Sequence, residues 1–476
     1  MLRKLTLVIA AVAFIASPAF AAVQNVKVSG KIDSSYIMRD RFDLGSGVNN
    51  SRYNQSFAMT QTQLRVDADL SDNVQTVLQL LNERAWGEET VANTDIDLNL
   101  AYVTLREFLY SPLTLVVGRQ ILHYGNGLII GDGGPNTSAS AGSAIQNVAG
   151  DLTIRTAHDA VKAILDYKPL TIDIFASKED SNVVSGTSAK NDDVDLFGVN
   201  ANYQLGDDMN SVVEAYFFGK IDRSNNTSTS TPRAKTDKVY VPGLRASTNP
   251  ISGLNVQGEV AWQRGTRTLN NGGSVVNEPR DAFGVQSIIN YQVKQEDVEK
   301  YKPVLQGVYT FVSGDSNPAD SDITHPNANS NETFTGWDPM FEAQASGKVY
   351  NTLFNLTNAH IVELSAGFTP IEDVMAKLSW TGIWLDKSLT RQLGTNAGLS
   401  SGTVLISPTG SPGSNAVTSN LALGQEIDAD LTYNYTEDVV FGLSLGAFFP
   451  GDAFAETSTN SRKSASQAIA HVGVTF

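Results

Sequence analysis

The sequence predicts an all-β fold, a transmembrane antiparallel β-barrel of about eighteen strands with short periplasmic turns and long extracellular loops. Three observations carry the prediction. Segments of about ten residues alternate polar and apolar side chains. The connections between them alternate short and long. The last segment, Ala468–Phe476, keeps the alternation and ends on an aromatic residue.

The alternation is the pattern of a strand with one face on lipid and the other on water. It is clean in Leu64–Leu70, Leu254–Trp262 and Ile427–Tyr435. Strands are expected to begin near Val26, Phe57, Val74, Asp95, Leu113, Asp159, Leu170, Asp193 and Met209. Others follow near Lys238, Leu254, Asp281, Tyr301, Ala359, Asp373, Leu423, Asp438 and Ser466. The segment near Lys238 contains Pro242, which cannot donate to a paired ladder.

The turns expected on the periplasmic side are short: Ser71–Asn73, Tyr110–Pro112, Lys168–Pro169, Gly206–Asp208, Asn249–Ser252, Pro370–Glu372 and Thr436–Glu437. The opposite loops 126–156, 222–236, 314–357 and 387–420 are long and rich in Ser, Asn, Gly and Thr. An even strand number places both ends of the barrel on the periplasmic side.

Residues 1–21 read as a signal peptide: Arg3 and Lys4, an apolar run from Leu5 to Ile15, then Ala19-Phe20-Ala21 before the cut. That run is too short to span a bilayer, which takes about 20 residues. Residues 22–476 are then one barrel domain. The chain has no cysteine, which fits an exported protein and excludes thiol catalysis and Cys-ligated metals. The formal charge is −16, so nucleic acid is not a partner. The expected partners are outer-membrane lipid, the barrel assembly machinery through the strand ending in Phe476, and small hydrophilic solutes or a polysaccharide. No cofactor or metal is expected.

Three stretches resemble the alginate export family of outer-membrane barrels. The first is Leu115–Gly125, with Gly118-Arg119-Gln120 at its centre. The second is Tyr309–Asn317, followed by Glu332-Thr333-Phe334 and Trp337–Phe341. The third runs from Leu423–Asp428 to Phe448–Gly451. The resemblance implies an eighteen-stranded pore in the outer membrane of a Gram-negative-type bacterium, and an acidic polysaccharide as the founding type's cargo.

The wall charges point to a different cargo. The polar phase of each strand faces the lumen, because charge on the lipid face costs about 2–4 kcal/mol for Arg or Lys at mid-membrane. The acids on that phase are Asp67, Asp69, Glu83, Asp97, Asp173, Glu214, Glu259, Glu363, Glu426, Asp428 and Asp430. The bases are Arg65, Lys220, Arg267, Arg280, Lys302 and Lys377, with Arg119 a further candidate. Rings of one sign select ions of the other. The acidic excess predicts cation preference and repulsion of an alginate-like chain. Cross-strand pairing of these acids and bases is the alternative account of the same residues.

Loop 126–156 is small-residue rich and nearly uncharged after Asp132, so it could fold inward as a constriction. Tyr36, Phe57, Trp86, Tyr102, Tyr203, Trp262, Tyr291, Tyr301, Trp380, Trp384, Tyr433, Tyr435, Phe441, Phe449 and Phe476 are expected in the interfacial belts. The chain lacks a Gly-x-Ser-x-Gly elbow opening a helix and a His-Glu-x-x-His motif, and its five histidines lie far apart. The reading is a pore for hydrophilic solutes and not an enzyme. The alternatives are a polysaccharide exporter, a surface adhesin or receptor, and an outer-membrane enzyme.

Overall fold

The computed structural model describes residues 24–45, 54–87, 96–131, 150–180, 194–223, 236–271, 274–316, 333–344, 346–388, 418–454 and 462–476. The expected signal peptide lies outside the described residues, as does 132–149 of loop 126–156.

Eighteen strands form one closed sheet. They are β1 (Asn25–Asp40), β2 (Gln55–Ser71), β3 (Val74–Ala85), β4 (Asp97–Leu105), β5 (Leu113–Gln120) and β6 (His158–Asp166). Next come β7 (Leu170–Asp180), β8 (Val194–Gln204), β9 (Val212–Asp222), β10 (Asp237–Ile251), β11 (Leu254–Asn271) and β12 (Ser274–Gln292). The last are β13 (Val304–Val312), β14 (Ala359–Ile371), β15 (Val374–Leu385), β16 (Ala422–Asn434), β17 (Val439–Pro450) and β18 (Ala465–Thr475). Each strand pairs antiparallel with the next. The ring closes between β1 and β18, with Lys31 opposite Thr475 and Asp40 opposite Ser466. Closure satisfies every backbone group that a lipid core could not.

The two faces differ as the period-2 pattern requires. On β16, Glu426 and Asp428 are buried in the interior. Their neighbours Ile427 and Leu431 lie 47% and 45% exposed on the outer surface, where lipid would cover them. The same outward phase holds Val28, Leu64, Leu244, Leu364 and Leu378.

Each expected segment meets a strand, but β12 starts earlier than the residues near Asp281. Strands β11 and β12 run to Asn271 and from Ser274, so residues 272–273 alone join them. A long loop expected here is instead a hairpin extension. The periplasmic connection 293–303 is in turn longer than its counterparts and carries a 3-10 turn at Glu299–Tyr301. Pro242 is accommodated on one side. β10 pairs with β9 through Pro242 opposite Phe217, whereas its recorded pairs with β11 pass from Tyr240–Arg264 to Gly243–Ala261.

The apolar core lies inside the barrel. Two loop segments fold into the bore: 121–131 with 150–157, after β5, and 333–358, between β13 and β14. The second contains a short helix, α1 (Lys348–Leu353). Leu122, Leu128, Ile129 and Ile130 from the first cluster with Val349, Tyr350, Leu353 and Phe354 from the second, against wall residues Phe175, Leu196, Phe218 and Phe448. The two segments also bond to each other. Gly131 N–H donates to the Phe341 carbonyl (2.7 Å) and Ala343 N–H to that of Gly127 (2.8 Å). Glycine is required at 131, because a Cβ there would lie 2.1 Å from Ala343 Cβ.

Candidate functional site: the barrel lumen

Most of the charged residues expected on the wall face the interior, and many are tied to the inward segments. On β2, Arg65 pairs with Asp67 at 2.8 Å; Asp69 sits at that strand's periplasmic end. On β3, Glu83 accepts hydrogen bonds from Thr153 Oγ1 (2.8 Å), Ile154 N–H (2.9 Å) and Arg155 Nε (3.2 Å). Arg155 also pairs with Asp97 on β4. Asp173 shares the inward phase of β7 with buried Phe175. Glu214 on β9 pairs with Arg245 on β10 at 2.8 Å. A second nitrogen of Arg245 reaches Asn126 of the first inward segment (3.2 Å), and Glu259 accepts from the Tyr216 hydroxyl (2.7 Å).

A second cluster pins the 333–358 segment. Lys220 on β9 donates to both carboxylate oxygens of Asp338, and Arg280 on β12 lies 3.7 Å from the same group and 3.3 Å from Asp237. The Arg267 and Arg280 guanidiniums lie 3.9 and 5.3 Å from the Phe334 ring centre. Such stacking holds the loop aromatic between two cations.

The third cluster surrounds α1. Glu426 accepts the backbone N–H groups of Val349 (2.7 Å) and Tyr350 (2.8 Å), bonds that hold the start of the helix to β16. Gly347 precedes them at φ 82°, a left-handed conformation that favours glycine. Lys348 pairs with Asp430 (2.7 Å) and Lys377 with Glu363 (3.5 Å). Arg39 holds Asp151 through two nitrogens, at 2.5 and 3.1 Å. Beside the helix lies a cavity of about 340 Å³, lined by Asp151, Glu363, Asp428 and Asp430, by Lys348 and Lys377, and by Ser379, Ser444 and Gln467.

Four placements differ from the sequence expectation. Arg119 is on the outer surface, paired with Asp159 at 3.0 Å; the buried phase of β5 holds Val116 and Gln120. Apolar residues occupy both faces of β5, because its inner face packs on the inward segments, so alternation gives no sign there. Lys302 lies in the 293–303 connection as the cap of the 3-10 turn, not on the wall. Phe57 packs inward against Ile37 and Met59, and Tyr102 reaches Arg65, so neither belongs to an interfacial belt.

Arg39, Arg155, Arg245, Asp151, Asp338 and Lys348 were not among the expected site residues. Arg39 and Arg245 share the inward phase of their strands, a signal that could have found them; the loop residues carry no such signal. His158, His360 and His471 lie on wall strands. His471 lies 3.2 Å from Asp33 and His158 2.8 Å from Glu179. Ser177 donates to Glu179 at 2.5 Å rather than to His158, which is not the order of a nucleophile and its base.

A closed barrel of eighteen strands, apolar outside and charged within, defines an outer-membrane channel and points to transport rather than catalysis. The chain belongs to the alginate export family, whose model matches residues 25–467. No curated protein matches it. Solved structures of similar fold include Pseudomonas aeruginosa OccK11 (OpdR), with a TM-score of 0.52 at 10% identity over 95% of this chain and 96% of that one. Another is P. aeruginosa OccK2 (OpdF) in complex with glucuronate, with a TM-score of 0.51 at 11% identity over 95% and 99% of the two chains. OccK8 (OprE) of the same organism gives 0.52 at 11% identity over 95% and 98%. At these identities the likeness is one of fold.

Proposed function

We propose that this chain is a cation-preferring outer-membrane channel for small hydrophilic solutes, narrowed by the two inward segments. The carrying observation is the lining of the α1 cavity, where the four carboxylates of Asp151, Glu363, Asp428 and Asp430 outnumber the three cations that pair with them, Arg39, Lys348 and Lys377. Carboxylates in a confined, low-dielectric passage raise the local concentration of cations. Arg65, Asp67, Glu83, Asp97, Asp173, Glu214, Lys220, Glu259, Arg280 and Glu426 act with them as wall charges. Many of these are engaged in the ion pairs described above, so the unbalanced acids set the sign.

A second reading is passage of an acidic saccharide. The family supports it, as do the cations Lys220, Arg267 and Arg280 around Asp338 and Phe334. Glucuronate is bound in the similar OccK2 structure. Here those cations already face Asp338, Asp237 and Glu278, so an acidic solute has to displace a carboxylate. The deciding measurement is the reversal potential of the purified protein in a planar bilayer under a KCl gradient. Cation preference is expected. Anion preference overturns the reading in favour of the saccharide, and absence of conductance returns the surface-receptor alternative.

Two processing steps belong to the same reading. Residues 1–21 are removed on export, and the assembly machinery reads the last strand through Phe476. Mass spectrometry of the mature chain and assembly of a Phe476 deletion test them.

A further inference from the structure

The α1 cavity holds four carboxylates, and three of them have a cation. Asp151 has Arg39, Glu363 has Lys377 and Asp430 has Lys348. The fourth, Asp428, has no cation of its own within ion-pair distance among the described residues. It is 2% exposed, and its Oδ1 has no hydrogen-bond partner. Its carboxyl shares a hydrogen bond with Glu426 and feels the charge of the Lys348 that pairs with Asp430. Burying a carboxylate oxygen without a donor is expensive, and native structures rarely leave one so. Asp428 also lies on the cavity lining.

The surroundings specify what fits. Among the described residues, no group of three or more His, Asp or Glu side chains is arranged to hold a metal ion. The lining instead combines hydroxyls and amides from Ser379, Ser444, Thr352 and Gln467 with an apolar wall of Leu152 and Ile469. That pairing suits a charged donor head on a short hydrocarbon stem. The volume of about 340 Å³ admits such a solute together with water.

We propose that this cavity is a binding subsite for an organic monocation, an alkylammonium or alkylguanidinium solute whose N–H groups bond Asp428 and whose stem lies on Leu152 and Ile469. The assignment rests on the channel reading above and gives that channel a substrate class. The bound cation gives Asp428 a counter-charge that it does not share with Asp430. Resting between α1 and the wall of β14–β18, it sits in the path and slows the flow of small ions while it stays.

The test uses the full-length protein in a planar bilayer with KCl on both sides and n-butylguanidinium added to the periplasmic side. Expected is a saturable block of potassium current, absent with the neutral isostere n-butylurea. Asp428→Asn keeps the size of the side chain and removes the charge; it is expected to raise the half-blocking concentration about tenfold, the worth of one charge-assisted hydrogen bond. Folding of the variant is checked by its heat-dependent shift on gels. If it does not fold, Ser444→Lys places a cation in the same cavity and is expected to abolish the block. Equal block by the guanidinium and the urea, or unchanged block in a folded Asp428→Asn or Ser444→Lys, overturns the subsite. Anion preference of the unmodified channel overturns the channel reading itself, whatever the block shows.

Discussion

Lys220, on the barrel wall, donates to both carboxylate oxygens of Asp338 on an inward segment, at 2.7 and 2.8 Å. Each side chain is 15% exposed, so the pair is largely withdrawn from water. Removing one partner of such a pair costs about 3–5 kcal/mol, because the other is left buried and charged. Lys220→Met is expected to loosen the 333–358 segment and raise single-channel current noise. Asp338→Asn with Lys220→Met should recover part of the loss. Quiet recordings from the single variant refute the anchoring role.

Gly131 is the tightest point between the two inward segments. Gly131→Val would drive a side chain into Ala343, and overpacking of this kind costs about 1–3 kcal/mol. The segments are expected to part, with a larger single-channel conductance and an unchanged barrel by circular dichroism. Equal or smaller conductance would mean that their contact does not narrow the passage.

Arg119 and Asp159 form an outward pair, whereas Arg245 faces the bore. Arg119→Gln is therefore expected to leave the KCl reversal potential where it was. Arg245→Gln should move it further toward cation preference. A shift of similar size in both variants contradicts the assigned faces.

Asp207, in the periplasmic turn between β8 and β9, accepts the Ser211 backbone N–H at 2.7 Å. That bond, helped by the Ser211 hydroxyl, holds the carboxyl below its ordinary range. A depressed folded-state value contributes stability above the unfolded value of about 3.9, and the contribution disappears as pH falls through the lower folded value. The Ser211 amide resonance in micelles is expected to hold steady down to mildly acidic pH, then move. Asp207→Ala should abolish that titration.

The barrel was legible because lipid on one face and water on the other impose a period of two. Ile427 and Asp428 differ in polarity for that reason alone. The pattern weakens where the bore is filled. Leu115, Val116 and Val117 are all apolar because the inner face of β5 meets protein rather than water, so the side of Arg119, a candidate for the lumen, was not legible from alternation. The loop contribution was less legible still. Arg39 and Asp151 meet across 112 residues of sequence, a separation over which no local pattern carries a signal. The α1 segment was visible only as apolar residues, Val349, Tyr350, Leu353 and Phe354, in a stretch that an exposed loop would make polar.

The 333–358 segment has a mechanical consequence. It is fastened to β9 and β12 through Asp338 at one end, and to β16 through the Glu426 bonds to α1 at the other. The segment is thus a chord stretched across a ring. An empty cylinder of paired strands can flatten when the bilayer squeezes it from the side; a cylinder with a tie rod across it keeps its roundness. The width open to a solute is then set by where the rod lies, and not by breathing of the wall.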